Sequence, residues 1–302
     1  MHKYLRAVGF SQPLSQEALQ TMLGKVVEVP TYRAFTSRSP KDDTLIAEFR
    51  QDLLQISVAG RSAFGLAVYG TFDMADRFIP DHYMPYLTTH MVSTEEEITI
   101  DQRLDNEACA GACDDLKVGV TIIFRLLNLA EFRKHDFGGD GIVRGAGLSL
   151  SALSTEGTIV MPIGKTEAER KAQKQDAFRR MEWMKKARDG DENAMRNLAL
   201  EDMDHYAVLW NRVQQDDVFS LVENYFMPVG MECDLYSVMG EIRRVLLLTN
   251  RFSKEKVYVM TLDVNGLVFE LAINRDDLYG EPKVGRRFKG VIWMQGRIVY
   301  PE

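Results

Sequence analysis

Cysteine is scarce in this sequence, which has three among its 302 residues: Cys109, Cys113 and Cys233. A small and odd number argues against a disulfide framework and is typical of proteins of the reducing cytoplasm. The sequence also has no Asn-x-Ser/Thr acceptor site for glycosylation. We therefore predict three reduced thiols and a cytoplasmic location.

Long apolar runs are absent as well. The longest uncharged runs span residues 62–72, 82–94 and 145–155, whereas a membrane-spanning helix needs about 20 predominantly apolar residues. The N-terminus carries early basic residues but lacks the apolar stretch of roughly 7–15 residues that a secretory signal has. We expect no contact with a membrane.

Positive charge is scarcer than negative charge, and the formal net charge is −7. Residues 236–302 are the exception, with eleven basic and eight acidic residues. Proteins that bind polyanions usually carry an excess of Lys and Arg, because pairing with phosphates releases counterions. A nucleic-acid interface is therefore expected only in this C-terminal part.

Motifs for catalysis and cofactor binding are incomplete. Gly164-Lys165-Thr166 lacks the upstream glycine of a phosphate-binding loop, because Ile159 stands at that position. Cys109 and Cys113 are followed by no second pair at zinc-like spacing, so we expect neither a metal nor another cofactor. Four histidines could supply a general base: His82, His90, His135 and His205. A hydrolytic enzyme with its site in the N-terminal part therefore stays an alternative.

The order of the secondary-structure patterns predicts an α+β protein in three parts. Residues 1–165 form a strand-rich α+β domain, 166–235 a helical connector, and 236–302 a five-stranded barrel. The first boundary lies where strong helix formers replace β-branched and aromatic residues, just after Gly164.

In the N-terminal part, Ser15 can cap an opening helix that Gly24 would end. A short helix is predicted at Asn128–His135. The best β-like runs are Ala63–Phe72, Glu97–Leu104, Val118–Leu127, Ile142–Leu153 and Thr158–Ile163.

In the connector, helices are predicted at Thr166–Arg188, at Glu192–Glu201 with Asp191 as its cap, at Tyr206–Val213 and at Asp216–Phe226. Asn265-Gly266 then predicts a two-residue hairpin between two strands. The five strands predicted for the C-terminal part are Val238–Leu248, Lys256–Val264, Leu267–Ile273, Arg287–Met294 and Arg297–Tyr300.

Two segments resemble known modules. The C-terminal part is similar to an OB-like barrel, on the grounds of its long first strand, its Asn265-Gly266 hairpin and its closing GEPKVGRRFKGVIWMQGRIVY. Ala187–Leu200 resembles half of a Sel1-type helical repeat. The repeat occurs once, which implies a helix–turn–helix and not a stacked scaffold.

The whole chain resembles a bacterial family known only as a domain of unknown function, found mainly in anaerobic Gram-positive bacteria. The resemblance is carried by HKYLRAVGFS, YFMPVGMECDLYSVMGEI and FKGVIWMQGRI. It implies a bacterial cytoplasmic protein, and it brings neither an activity nor assigned site residues.

Four residues form the one suggestive constellation, a candidate nucleic-acid-binding face. Period two places Arg287, Lys289 and Trp293 on the same side of one strand, and Arg243 lies in the first strand of the barrel. Basic groups beside an aromatic ring on an OB-like face can bind single-stranded nucleic acid. Alternatively, outward Arg and Lys protect sheet edges from aggregation, and Trp293 is buried.

The leading hypothesis is a non-catalytic cytoplasmic binding or protein-interaction protein with an unknown protein partner. Single-stranded nucleic-acid binding by the C-terminal barrel is the first alternative, and the hydrolytic enzyme is the second.

Overall fold

The structure of the chain is a computed structural model. It describes residues 2–39, 42–54, 62–101, 110–135, 141–162, 175, 179, 182–187, 190–198, 224–230 and 233–301. Within these residues, no helix is long and apolar enough to cross a membrane.

Helix α1 (Gln16–Glu28) begins where the sequence predicts. Ser15 is its N-cap, and the serine hydroxyl accepts a hydrogen bond from the Ala18 N–H. The predicted end at Gly24 is wrong, because α1 continues for another turn. Gly24 lies on the open face of the helix, where an added Cβ atom would have no neighbour within 4 Å, and an exposed glycine costs a helix only about 1 kcal/mol.

Further helical structure is short. A 3-10 helix, Lys3–Val8, precedes α1, and α2 (Leu129–His135) matches the predicted short helix. Within the described parts of the connector, residues 182–187 and 192–198 are helical. The Asp191 carboxylate accepts hydrogen bonds from two N–H groups of the second segment, as predicted for a cap. The predicted helix at 206–213 lies outside the described residues.

Most of the remaining described chain is β-strand, so the fold is mostly β, with the strand-rich N-terminal part that the sequence predicts. In chain order the strands are β1 (Tyr32–Ser39), β2 (Asp42–Asp52), β3 (Ala63–Phe72), β4 (Phe78–Thr88), β5 (Ile98–Asp101), β6 (Ala110–Asp115), β7 (Val120–Leu126), β8 (Ile142–Val143), β9 (Gly147–Ser154), β10 (Gly157–Val160), β11 (Tyr225–Pro228), β12 (Leu235–Thr249), β13 (Lys256–Val264), β14 (Leu267–Asn274), β15 (Leu278–Tyr279) and β16 (Arg287–Val299).

Strands β1 to β4 form an antiparallel four-stranded sheet in sequence order. Helix α1 contacts β2 and β3, and α2 contacts β1. Both helices therefore pack against this sheet. The apolar side chains of the sheet and of the 3-10 helix belong to one buried cluster.

The second sheet contains a closed circuit of five strands. Strand β12 pairs with β13, β13 with β14, β14 with β9, β9 with β16, and β16 again with β12. The β14–β9 pair is parallel, and the other four are antiparallel. Beyond β16 the sheet continues through β7, β6, β5 and β8.

Three predictions about this sheet are wrong. Arg287–Met294 and Arg297–Tyr300 are not separate strands, because Gln295 and Gly296 stay in the ladder of β16. The fifth strand of the circuit is instead β9, which comes from the N-terminal part. The predicted helix at Asp216–Phe226 is wrong at its end, where β11 pairs with β12. The division into three domains stays a prediction, although this sheet joins strands from both sides of the connector.

The two faces of β14 belong to different apolar clusters. Phe269, Leu271 and Ile273 contribute to the cluster inside the second sheet. Ala272, on the opposite face, joins the cluster formed with the 3-10 helix and the four-stranded sheet. The outer face of β14 is therefore buried inside the protein.

Candidate binding surface

Trp293, which the sequence suggests as a base-stacking residue, is 7% exposed. Its indole N–H donates to the Asp234 carboxylate at 2.7 Å. Tyr4 stacks on the indole with ring centroids 5.0 Å apart and planes 18° apart, and His2 packs at the same centroid distance. The indole is thus covered by the chain's own N-terminal residues.

Arg287 is also buried. Its Nε and Nη2 donate to the Met161 carbonyl oxygen at 3.2 and 3.0 Å. Burial lowers the pKa of Arg287 from its ordinary value. Lys289 is half-buried in the ladder between Met239 of β12 and Thr158 of β10.

Arg243, the fourth predicted residue, is engaged by carboxylates. Its guanidinium lies 2.8 Å from Glu241 and 2.9 Å from Asp263. Neighbouring Arg244 bonds Glu270 at 2.5 Å. The structure therefore does not bring the four candidates together on one exposed cationic face, and their role in nucleic-acid binding stays a prediction.

A different surface feature lies beside α1, and we call it the α1 groove. It is an open depression of about 480 Å³, which is within the range typical of ligand pockets. One wall is α1 with the residues leading into it, and the other is the turn between β12 and β13. Its lining residues are Phe10, Leu14, Ser15, Glu17, Ala18, Thr21, Met22, Lys25, Phe252 and Ser253.

The centre of the α1 groove is apolar and its rim is polar. Phe10 and Met22 are buried at its base, while Phe252 is 37% exposed. Glu17 and Lys25 are exposed on α1 two turns apart, so the rim carries one charge of each sign. An apolar centre inside a polar rim is the usual anatomy of a protein-binding surface.

The turn that carries Phe252 is built around Asn250. The Asn250 Oδ1 accepts hydrogen bonds from the N–H groups of Phe252 and Ser253 at 2.8 and 3.2 Å. Its Nδ2 donates to the Val8 carbonyl at 2.7 Å. One fully buried amide thus joins this wall to the 3-10 helix.

Glu255 joins the same turn to the start of the other wall. Its carboxylate accepts from the Ser11 N–H at 3.0 Å and from the Ser11 hydroxyl at 2.7 Å. Asn274, at the end of β14, donates to the same carboxylate at 2.5 Å. Both walls are therefore fixed by buried or half-buried hydrogen bonds before any ligand arrives.

Arg6 completes this set of attachments. Its Nε and Nη2 donate to the two oxygens of Asp277, each at 2.5 Å. The bidentate bond raises the pKa of Arg6 further above its ordinary value. Asp277 follows β14, so the 3-10 helix is tied to the end of the second sheet that presents Phe252.

A second, smaller depression lies on β5, β6 and β7. It is about 330 Å³ in volume, and its lining includes Glu96, Glu97 and Asp114. Burial, followed by the charges of Asp115 and its neighbours, raises the pKa of Cys113 to about 12. Among the described residues, no three His, Cys, Asp or Glu side chains are placed to hold a metal ion. Cys109 lies outside them.

Two of the described histidines, His82 and His135, stack on tyrosine rings. His82 packs on Tyr69 with centroids 4.8 Å apart, and its Nδ1 lies 3.1 Å from Asp81. His135 packs on Tyr300 at 4.0 Å. His90 is exposed, and His205 lies outside the described residues.

One buried ion pair was not predicted from the sequence. Glu48 and Arg50 are buried on the same face of β2 and bond each other. Tyr69 donates to Glu48, and Arg50 donates to the Leu127 carbonyl just before α2. Burial raises the pKa of Glu48 despite the opposing effect of Arg50. The pair lies between the four-stranded sheet and α2, away from the surface.

Most of the residues that shape the α1 groove were not predicted from the sequence either. Ser11 and Glu255 are 244 positions apart, and Arg6 and Asp277 are 271 apart. Only the helix cap at Ser15 gave a local signal, because capping depends on neighbouring residues while the other bonds depend on tertiary structure.

These features define a mostly β protein with a helix-lined groove. The profile of the family described as a domain of unknown function, E. rectale gene description (DUF3881), matches residues 5–296, and the chain belongs to this family. The family resemblance seen in the sequence is thereby confirmed. No curated protein and no solved structure matches the chain.

Proposed function

We propose that the protein is a non-catalytic binding protein that receives an apolar segment of a partner protein in the α1 groove. The observation that carries this proposal is the exposed Phe252 facing α1 across an apolar base, with Glu17 and Lys25 on the rim. Exposed aromatic side chains at the centre of such surfaces supply much of the binding energy.

The choice of a protein segment over a small charged ligand follows from the lining. Five of the ten lining side chains are apolar: Phe10, Leu14, Ala18, Met22 and Phe252. The two charges are opposite and stand at the edge, where they select the orientation of a partner more than they add affinity.

We also infer that the closed circuit is an OB-like barrel completed by β9. Support comes from the 15-residue first strand β12, which pairs with both β13 and β16, and from one parallel pair among five. In OB folds, oligonucleotides bind on the face of the second and third strands. Here that face of β13 and β14 contributes Val257, Val259 and Ala272 to the cluster under the 3-10 helix. This favours protein binding over nucleic-acid binding.

A cytoplasmic location belongs to the same proposal. It is supported by the small number of cysteines and by the free thiols of Cys113 and Cys233.

Photo-crosslinking in the native host tests the proposed function. A benzoylphenylalanine at Thr21, inside the groove, should form a discrete adduct with one protein, whereas the same group at exposed Met74 in the β3–β4 turn should not. Ala18→Trp, which fills the groove from an exposed helix position, should abolish the adduct. The purified partner should then bind the native protein at least tenfold more tightly than the Ala18→Trp variant.

Two results would overturn the proposal. One is equal crosslinking from Thr21 and Met74. The other is an adduct, or an affinity for the purified partner, that Ala18→Trp leaves unchanged.

A further inference from the structure

The N-terminal segment, residues 2–11, does not only lie beside the α1 groove. It contributes part of the lining of the groove. Phe10, near the end of this segment, is buried at the base of the groove. Ser11, the last residue of the segment, is the point that Glu255 holds. The position of the groove wall that contains α1 therefore depends on where the segment is attached.

Three polar attachments of the segment lead to one end of the second sheet. Arg6 bonds Asp277, the Val8 carbonyl accepts from Asn250, and Ser11 bonds Glu255. Asn250 also shapes the turn that carries Phe252. The same few side chains thus dock the segment and set the distance between the two walls.

The apolar contacts of the segment follow the same arrangement. Leu5 and Val8 are fully buried in the cluster that includes Val257 at the start of β13. Tyr4 covers Trp293 on β16. In the docked position the segment therefore buries these apolar side chains and holds the two groove walls beside each other.

We propose that occupancy of the α1 groove and docking of the N-terminal segment are thermodynamically coupled, so that a ligand in the groove locks residues 2–11 in place. The coupling rests on the proposed function of the groove. It is reciprocal: whatever loosens the segment weakens binding in the groove by the same factor by which binding protects the segment. Typical couplings of this kind change affinity by roughly 5–150-fold.

The experiment uses the full chain and anilinonaphthalene sulfonate, a fluorescent apolar probe. Dye bound in the groove is identified as the part of the signal that Ala18→Trp removes. Hydrogen–deuterium exchange of residues 4–11 is then measured with and without saturating dye. We expect exchange of this segment to slow at least fivefold when the groove is occupied.

Arg6→Ala supplies the reciprocal measurement, because it removes the bidentate bond to Asp277 without touching the groove lining. Its affinity for the dye should fall at least fivefold. Arg144→Ala is the matched control, since it removes another arginine–carboxylate pair, to Glu97, from a distant part of the second sheet. That variant should bind the dye like the native protein.

The outcomes separate this inference from the proposed function. Dye that binds the groove while exchange of residues 4–11 stays unchanged overturns the coupling and leaves the groove proposal standing. Absence of any dye signal sensitive to Ala18→Trp counts against both. If Arg6→Ala fails to fold, the exchange measurement on the native chain decides the matter alone.

Discussion

The side-chain amide of Gln295 makes two hydrogen bonds to the backbone around Leu87. It accepts from the Leu87 N–H at 3.0 Å and donates to the Pro85 carbonyl at 2.9 Å. Gln295 lies on β16 and has no exposed surface. Gln295 therefore takes the place of a strand neighbour beside this part of β4 and helps to join the four-stranded sheet to the second sheet.

Gln295→Met should destabilise the protein by about 2–4 kcal/mol. The substitution nearly preserves volume but leaves two buried backbone groups without partners, each costing about 1–3 kcal/mol. Urea denaturation measures the change. Gln20→Met, at an exposed position of α1, is the control and should stay within about 0.5 kcal/mol of the native protein. A cost below about 1 kcal/mol at Gln295 would contradict this account of the junction.

Stability should fall as the pH drops from 7 to 5, partly because of His2. Burial, followed by the charge of Arg125, lowers the pKa of His2 from 6.5 to about 4 in the folded protein. In the unfolded chain His2 therefore binds a proton below about pH 6.5, whereas in the folded chain it stays neutral down to about pH 4. The free energy of unfolding therefore decreases as the pH falls, and the part due to His2 amounts to about 2 kcal/mol between pH 7 and 5.

His2→Gln should flatten this part of the pH profile, whereas Gln20→Met, which changes no titratable group, should keep the native profile. Denaturation at several pH values, with a native N-terminus, gives the comparison. Identical slopes for the His2→Gln and native proteins would show that His2 titrates normally.

The cysteines should differ in their rates of alkylation. Cys233 is exposed, while Cys113 is buried and has a pKa of about 12, so its reactive thiolate is rare at pH 8. Mass spectrometry of the native protein should show early labelling at Cys233 and protection at Cys113. In denaturant without reductant, all three cysteines should label, and a protected pair there would contradict the prediction of reduced thiols.

Two glycines should respond to alanine with opposite signs. Gly266 has a φ of 89° and Asn265 one of 56°, the left-handed pair that the predicted hairpin requires. Gly266→Ala should cost about 1–2 kcal/mol. Gly24→Ala should stabilise by about 0.5–1 kcal/mol, because Gly24 is inside α1 with open space around it. Chemical denaturation of both variants tests the pair, and a shared sign would refute it.

Single-stranded oligonucleotides should not bind the protein at micromolar concentration, even at low salt. Trp293 is covered by Tyr4, and Arg243 is paired with two carboxylates, so stacking and phosphate pairing are both obstructed. Fluorescence anisotropy with a labelled oligonucleotide provides the measurement. Binding that weakens with salt and with Trp293→Phe would restore the nucleic-acid alternative.

Strands with regular apolar patterns could be predicted from sequence. Ala63–Phe72 and Lys256–Val264 match β3 and β13 at both ends. Both are rich in β-branched and aromatic residues and are bounded by turn residues. The cap at Ser15 and the hairpin at Asn265-Gly266 were predictable for a related reason, since their geometry depends on residues adjacent in the chain.

Strands β2 and β4 were missed for identifiable reasons. In β2 the buried side chains include Glu48 and Arg50, and these charged residues interrupt the apolar pattern of the sequence. They can be buried because they pair with each other inside the fold. β4 contains Pro80 and Pro85, which remove backbone donors and signal a loop. β4 tolerates them because it is at the edge of the four-stranded sheet.

The candidate binding surface was beyond local reasoning. Trp293 was placed on the correct strand, but its burial depends on Tyr4 and His2 at the opposite end of the chain. Phe252 belongs to a candidate binding surface only because α1 lies beside it in the fold. Long-range contacts such as Ser11–Glu255 leave no periodic trace in a single sequence.

The place of β9 in the circuit has a consequence for biosynthesis. β9 emerges from the ribosome more than 100 residues before β14 and β16, the two strands on which its backbone hydrogen bonds depend. Until β14 is made, both edges of this buried strand lack these partners, and the edge that pairs with β16 lacks its partner until residue 299, a state prone to aggregation. A fragment of residues 236–302 has the converse defect, because β14 and β16 then each lack a neighbour. Folding of the last quarter of the chain is therefore a closure step that completes a structure begun by the first half.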